Sequence, residues 1–430
     1  MNIATLYQLF KQHPVVTTDS RNIPFNSLFF ALKGENFNGN SFAMESLTKG
    51  AAFAVIDEPE FATSDRMILV DDVLLSLQQL ASYHRAELKL PILAITGTNG
   101  KTTTKELIAA VLSKKFIIHF TQGNLNNHIG VPLTLLLITP ETEIAIIEMG
   151  ANHAGEIKTL CQIADPDLGI VTNMGKAHLE GFGSFEEIVK TKTELYDYLR
   201  GKGGKCFIHA DNPLLIRQAN GLEQFSYGKS TGYFMPGELA STDYNLVVKA
   251  LFTKGWLYLK SKLIGDYNFE NVLAAACVGK YFEVAPLLIQ EALEAYTPSN
   301  NRSQLIRNEK NTIIMDAYNA NPTSMMLALS NFSGLIGERK CVILGDMLEL
   351  GEASQAEHQN ITDFVDIQAF EYVFLVGPQF KKTITGKEKK KFDTAELLSQ
   401  YLKKHPLQHR FILVKGSRGI HLEKILELLT

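Results

Sequence analysis

The feature that most constrains this chain is a single run: Ile92-Leu-Ala-Ile-Thr96-Gly97-Thr98-Asn99-Gly100-Lys101-Thr102-Thr103-Thr104. An apolar strand breaks into Gly-x-x-Gly-Lys-Thr and continues as a helical pattern over Lys101–Leu112. Such a turn suits nucleotide phosphates. Gly97 and Gly100 let backbone amides approach phosphate oxygens without a Cβ in the way. The new helix start adds partial positive charge. Lys101 would neutralise the β/γ-phosphates and the Thr102 hydroxyl would ligate Mg²⁺. The position five before Gly100 is Ile95, a departure from the usual spacing, so the strand–turn–helix setting carries the reading of an ATP or GTP site.

A strand–loop–helix unit of this kind belongs to a mostly parallel sheet covered on both faces. Apolar runs at 92–95, 144–147, 168–171 and 206–208 predict central strands. Helical patterns at 101–112, 129–137, 185–199 and 213–219 intervene, and Asn268–Tyr281 and Pro286–Ala295 close the unit. Tyr244–Leu251 and Trp256–Leu259 alternate like an antiparallel excursion. Before Pro91, short segments at 27–32, 51–56 and 66–70, then a helix over 74–88, predict a small α/β domain. After a Pro/Asn-rich stretch at 297–302 the rhythm restarts with strands at 312–315, 342–344, 372–376 and 411–414, a Rossmann-like unit. At 430 residues and roughly 150 per domain, three α/β domains are expected: 1–90, 91–297 and 298–430. The charge run Lys387–Lys391 reads as a solvated loop.

Lys plus Arg number 42 against 46 Asp plus Glu, and 45% of residues are hydrophobic. That balance excludes global disorder and argues against a general nucleic-acid or membrane-surface binder. The four cysteines (161, 206, 277 and 341) form no CxxC pair and read as buried reduced thiols. The first 14 residues lack a signal-peptide pattern, and the longest apolar stretch, 131–138, is far too short to span a bilayer. A soluble cytoplasmic protein, with no membrane insertion, is expected.

Two further strand ends carry chemistry. Glu148 closes the run Ile144-Ala-Ile-Ile-Glu148, where ligands of doubly wound sheets collect. With Thr102 it makes a half-site of hard oxygens for Mg²⁺. Val171-Thr-Asn173-Met-Gly175-Lys176-Ala-His178 follows another strand, and His178 could ligand a cation, orient a phosphate or be ordinary hydrogen-bonded structure. The next helix offers Lys190 and Lys192. Lys190 and Glu194 are spaced as a surface pair, and local sequence alone leaves the two lysines undecided.

These motifs resemble a known family. Thr96–Thr103, Asn124–Gly130, Glu148–Glu156 and Ala177–Gly183 are similar to segments of the Mur ligases, ATP-dependent amide-forming enzymes of bacterial cell-wall synthesis, and the similarity runs through nearly the whole chain. The resemblance implies a carbamylated lysine three residues before the Leu195-Tyr196 pair, hence Lys192, so that the metal ligands would be Thr102, Glu148, His178 and carbamylated Lys192. It assigns catalytic weight to Lys101, His178 and Lys192. ATP would be held by Gly97–Thr103, with Arg302 on phosphate, Asn268 and Asn271 toward adenine, and Asp316 toward ribose. Thr18–Arg21 and Leu28–Asn36 resemble the family's UDP-binding segment and place Ser20, Arg21 and Lys33 near uridine. Asp316–Pro322, Gly345–Gly351 and Val414–Arg418 are similar to the branch that adds D-alanyl-D-alanine, which would meet Tyr318, Asn319, Asn321, Lys415, Ser417 and Arg418.

The implied reaction joins D-alanyl-D-alanine to UDP-N-acetylmuramoyl-tripeptide through an acyl phosphate, with ATP as co-substrate, Mg²⁺ as cofactor and a monomeric enzyme. The alternatives are a ligase of the same fold that adds diaminopimelate or lysine, a folylpolyglutamate-type ligase, and a P-loop regulatory ATPase. The Asp-Asn-Pro-Arg pattern of the diaminopimelate- or lysine-adding branch is missing, since Asp211-Asn-Pro213 lies in the middle unit and lacks the Arg.

Overall fold

The computed structural model describes residues 2–242, 245–298, 302–386 and 389–430. Its described strands form three large sheets, in keeping with the expected α/β architecture. The first sheet is parallel, in the order Val16–Thr17, Leu28–Phe30, Phe53–Ile56, Met67–Leu69. The short helix Ala43–Thr48 packs one face of it and two longer helices lie on the other. Ile3–Gln12 was not foreseen; Asn2 caps it by accepting from the Thr5 amide at 2.9 Å. Val73–Glu87 starts on Asp72, which accepts from the Leu75 amide at 2.7 Å.

The helix Val73–Glu87 does not swing free at Pro91. Arg85, 7% exposed, donates to the carbonyls of Ala164 and Asp165 and meets Asp167 at 2.8 Å, while Asp167 also accepts from the Ile92 amide. One apolar cluster runs from Leu6, Phe10 and Leu77 through Leu135 to Leu160 and Tyr196. The first unit thus shares its core with one face of the central sheet.

The central sheet has nine strands. Its parallel part runs Ile118–Phe120, Ile144–Glu148, Ile92–Thr96, Leu168–Val171, Lys205–His209, Glu223–Gly228 and Met235–Ser241. Val247–Phe252 and Gly255–Lys260 then add the expected antiparallel excursion, of which residue 244 lies outside the described residues. Lys101–Leu112 and Phe269–Tyr281 pack one face, and Gly130–Leu136, Glu156–Ala164 and Phe185–Lys202 the other. The strand Ile92–Thr96 is buried throughout, which explains its unbroken apolar run.

The third sheet runs Gln304–Arg307, Asn311–Asp316, Arg410–Lys415, Lys340–Gly345, Tyr372–Val376, Lys390–Phe392; only the first pairing is antiparallel. The charge run departs from its expected solvated loop. Lys390–Phe392 is an edge strand, Lys389 is buried against Asp366 at 2.9 Å, and Lys391 donates to the Thr383 carbonyl. Long lysine stems cover apolar edge surface while their ammonium ends find oxygen. Residues 387–388, and 299–301 of the Pro/Asn-rich stretch, lie outside the described residues. All four cysteines are buried thiols.

Candidate active site

The carboxyl ends of the central strands and of the third sheet face one another across a cleft of about 600 Å³. Gly97, just before the cleft-lining Thr98, has φ +138°, and a Cβ there would lie 2.1 Å from Thr172 Oγ1. Gly100 has φ +79°, and its Cβ would meet Asn271 Oδ1 at 2.6 Å. Both positions require glycine.

Neighbouring chain holds the loop in shape. The Thr98 amide donates to the Asn173 carbonyl and the Asn99 amide to Asn173 Oδ1, each at 2.9 Å, while Thr172 Oγ1 donates to the Asn99 carbonyl at 2.6 Å. The Thr104 amide makes a helical bond to Gly100 at 2.8 Å, so the amides before it are the unpaired donors that begin any helix. Gly100–Thr103 line the cleft. Lys101 folds onto the loop, its Nζ 2.7 Å from the Gly97 carbonyl and 3.1 Å from that of Thr98. Burial pushes its pKa down, and Arg302 adds to the effect against the pull of Glu148.

Glu148 is 2% exposed. Its Oε1 accepts from Thr102 Oγ1 at 3.2 Å and from Asn126 Nδ2 at 2.8 Å. Its Oε2 is buried without a hydrogen-bond partner, 3.6 Å from Lys105 Nζ. An orphaned carboxylate oxygen beside a threonine hydroxyl fits Mg²⁺, which takes one or two protein oxygens and leaves its other positions to phosphate and water. Among the described residues no group of three His, Cys, Asp or Glu side chains forms a metal cluster by itself. Sequence reasoning missed Lys105 and Asn126 as neighbours of Glu148. Lys105 is four residues after Lys101, the spacing that puts two side chains on one helix face.

The structure separates the two lysines of the next helix. Lys190 is exposed and pairs with Glu187 at 3.3 Å, not with Glu194. Glu194 instead accepts the Gly155 and Lys158 amides and caps the helix Glu156–Ala164. Lys192 is 2% exposed, with Nζ 5.4 Å from the Phe182 ring centroid, behind the cleft-lining side chains. Burial, and then Lys101, bring its pKa down to about 7 against Glu156 and Glu194.

His178, at φ +50°, lines the cleft, but its Nδ1 is in close contact with the Glu349 carboxylate of the third sheet's loops. Glu349, also at positive φ, was not foreseen as its partner, because the two residues meet only across the interface. The bond to His178 holds the Glu349 carboxyl below the usual carboxylate range.

Asn268 and Asn271 line the cleft but spend their amides on structure. Asn268 Nδ2 donates to the Ile264 carbonyl, Asn271 Nδ2 to Asn268 Oδ1, and Asn271 Oδ1 accepts from Thr104 Oγ1 at 3.0 Å. Asp316 and Lys415, assigned to different ligands, bind each other: Lys415 Nζ lies 2.5 Å from Asp316 Oδ2 and is 2% exposed as a residue. Ser417 is buried, accepting from the Leu348 amide and donating to the Ala320 carbonyl. As they stand, neither Lys415 nor Ser417 presents a free donor for a substrate carboxylate. Tyr318 lies under the Arg302 guanidinium at 3.7 Å, with that of exposed Arg418 at 5.5 Å. Asn319 lines the cleft, bonded to the Ala320 amide. Asn321 caps the helix Pro322–Gly334 and donates to Asn99 Oδ1 at 2.8 Å, tying the third domain to the phosphate loop.

Ser20, Arg21 and Lys33 do not line this cleft. Arg21 forks onto Asp19 at 2.8 and 2.9 Å, Lys33 pairs with Asp57 and Glu58 at 2.9 and 2.8 Å, and the Ser20 carbonyl accepts from Lys49.

A doubly wound sheet that brings a Gly-Lys-Thr loop and a buried carboxylate to a cleft closed by a Rossmann-like domain defines a multidomain P-loop nucleotide-binding protein. Residues 95–279 match the Mur ligase middle domain and residues 301–418 the Mur ligase, glutamate ligase domain. The chain belongs to the Mur ligase family. It is 35% identical to the UDP-N-acetylmuramoyl-tripeptide–D-alanyl-D-alanine ligase of Bacillus subtilis, over 96% of this chain and 92% of that one. It resembles the structure of MurF from Acinetobacter baumannii with a TM-score of 0.87 and 28% identity, covering 98% and 97% of the two chains. MurF from Thermotoga maritima in complex with ADP gives 0.86 and 26%, covering 97% of each. No helix among the described residues is long and apolar enough to cross a membrane.

Proposed function

We propose that this protein is an ATP-dependent ligase that joins D-alanyl-D-alanine to the free acid end of UDP-N-acetylmuramoyl-tripeptide. The observation that carries the reading is the cleft itself: a phosphate loop on one wall and the strand ends of a second α/β domain on the other. A relative named for that ligation and a similar structure in complex with ADP support the reading. A carboxylate has no leaving group. Its oxygen therefore takes the γ-phosphoryl group of ATP, ADP departs, and the resulting acyl phosphate is attacked by the dipeptide amine with loss of phosphate. The protein's part is positioning and charge neutralisation.

Lys101 and the amides of Gly100–Thr103 receive the phosphates, with Arg302 beside them. Thr102 and Glu148 would hold magnesium, which would supply screening between the two anions that must meet. For a second ion, His178 and Lys192 do not fit as they stand: the imidazole faces Glu349 and Lys192 presents an amine. Burial and Lys101 bring the Lys192 pKa down to about 7, which makes the neutral amine accessible near neutral pH. A neutral amine can add CO₂ and release a proton, which turns a buried cation into a carboxylate. The assignment of Ser20, Arg21 and Lys33 to the uridine end requires these side chains to exchange their acidic partners for the ligand. Of the boundaries 90/91 and 297/298, the second serves as the joint for closure, since the first unit is anchored to the central sheet; closure excludes water that would hydrolyse the acyl phosphate. In this reading the reaction belongs to the cytoplasm and the enzyme is a monomer.

The test is a panel of acceptors read by ADP formation: D-alanyl-D-alanine, D-alanine, L-lysine and diaminopimelate, each with the UDP-linked tripeptide. Turnover should need the tripeptide and D-alanyl-D-alanine together. Turnover with nucleotide alone would indicate a regulatory ATPase. Oxygen-18 in the tripeptide's acid should appear in the released phosphate.

A further inference from the structure

Lys105 is a buried lysine that the reaction as described does not use. It stands on the helix Lys101–Leu112 and is 1% exposed. Its Nζ lies 3.6 Å from Glu148 Oε2 and 5.8 Å from the Phe120 ring centroid. Because Thr102 and Asn126 both bond to Oε1, Lys105 faces the oxygen that has no hydrogen bond. At that distance the ammonium balances charge but is too far to saturate the lone pairs.

Without nucleotide, the half-site therefore already sets the Lys105 ammonium against its carboxylate, and a lone divalent cation is repelled. A polyphosphate reverses that sign. We infer that Lys105 is a positioning residue that holds Glu148 in place while denying the site to a metal ion that arrives alone, so that metal and nucleotide enter together. Removing one member of a buried ion pair leaves the other uncompensated; without Lys105, a bare cation becomes the natural partner of Glu148. The inference rests on the reading of Thr102 and Glu148 as metal ligands.

The test uses Mn²⁺ on the full chain, with free ion followed by its EPR signal, with and without ADP. The wild type should bind Mn²⁺ at least about 30-fold more weakly without ADP than with it. Lys105→Met should narrow that ratio to about threefold, chiefly by tightening the ADP-free arm. Lys105→Gln repeats the measurement with a polar side chain in case the methionine variant is poorly soluble. A purely structural lysine would lower the melting temperature and leave the ratio unchanged, which overturns the inference. So does tight ADP-free binding by the wild type, a result that needs no variant. Glu148→Gln separates the two levels. If it binds Mn²⁺ with ADP as well as the wild type does, the ligand reading itself fails; if it binds weakly while both Lys105 variants keep the wild-type ratio, only the role of Lys105 falls.

Discussion

The phosphate-loop end of the central domain and the basic segment of the first domain hold their charges in opposite ways. Around the loop, Glu148 keeps one oxygen unbonded and Lys192 is a buried amine shifted to about 7. In the first domain, Arg21 and Lys33 are each neutralised by acids close by in sequence or space, Asp19 in one case and Asp57 with Glu58 in the other. The contrast teaches where a ligand-binding charge can be read from a ligand-free arrangement. Buried groups cannot be satisfied by water, so an unmet bond at the cleft, as on Glu148, points to a missing ligand. Exposed groups pair at little cost and reveal nothing of what displaces the partner.

The sharpest way to break this comparison is Lys192→Ala. If burial marks function, ligation should fall by about 10³-fold while ADP binding changes little; retention of half the activity would remove Lys192 from the chemistry. Next is Gly97→Ala, whose Cβ would overlap Thr172 Oγ1 at 2.1 Å and demand a φ of +138° from an L side chain. ADP affinity by calorimetry should drop by about 100-fold or the protein should lose solubility. Asn321→Ala removes a helix cap and the bond to Asn99, a loss of about 1 kcal/mol in denaturant unfolding. Rescue by Asp or Ser at 321, both good caps, should restore stability without restoring the Asn99 amide contact.

The smallest effect is expected in the first domain. Lys33 bonding is the largest influence on Glu58 and lowers its pKa, and for Asp57 the bonds from Lys33, Asn40 and Val73 outweigh a burial effect of opposite sign. Folded-state pKa values depressed in this way contribute stability above the unfolded carboxylate range, near pH 4, that disappears as pH falls through the folded values. Lys33→Met should flatten the acid limb of a melting-temperature profile between about pH 3 and 5, so that the small loss it causes at pH 7 fades as pH falls below about 3. A large loss at neutral pH would mean that the exposed pair matters more than the contrast allows.

The same contrast governs what could be read beforehand. Strands 92–96, 144–148 and 168–171 were legible because burial on both faces demands an unbroken apolar run. Met235–Ser241 was not, since Pro236 and Gly237 look like breakers; Pro236 is tolerated where the strand has just begun to pair, opposite Gly228. Gln304–Arg307 and Glu223–Gly228 are only partly buried and carry no clear pattern. In the site, Gly97, Gly100, Thr102 and Glu148 were readable because backbone geometry or a strand end dictates each. Glu349 against His178, and Lys415 against Asp316, depend on residues far apart in sequence, which no local spacing encodes.

The stitching of Thr98 and Asn99 to Thr172, Asn173 and Gly175 has a consequence for how ligands arrive. A cradle pinned by its own neighbours surrenders its conformational freedom during folding, so an incoming polyanion has little disorder to quench. Binding at this rim should then be governed by shedding of hydration and by charge. Selectivity among nucleotides must come from walls farther from the phosphates.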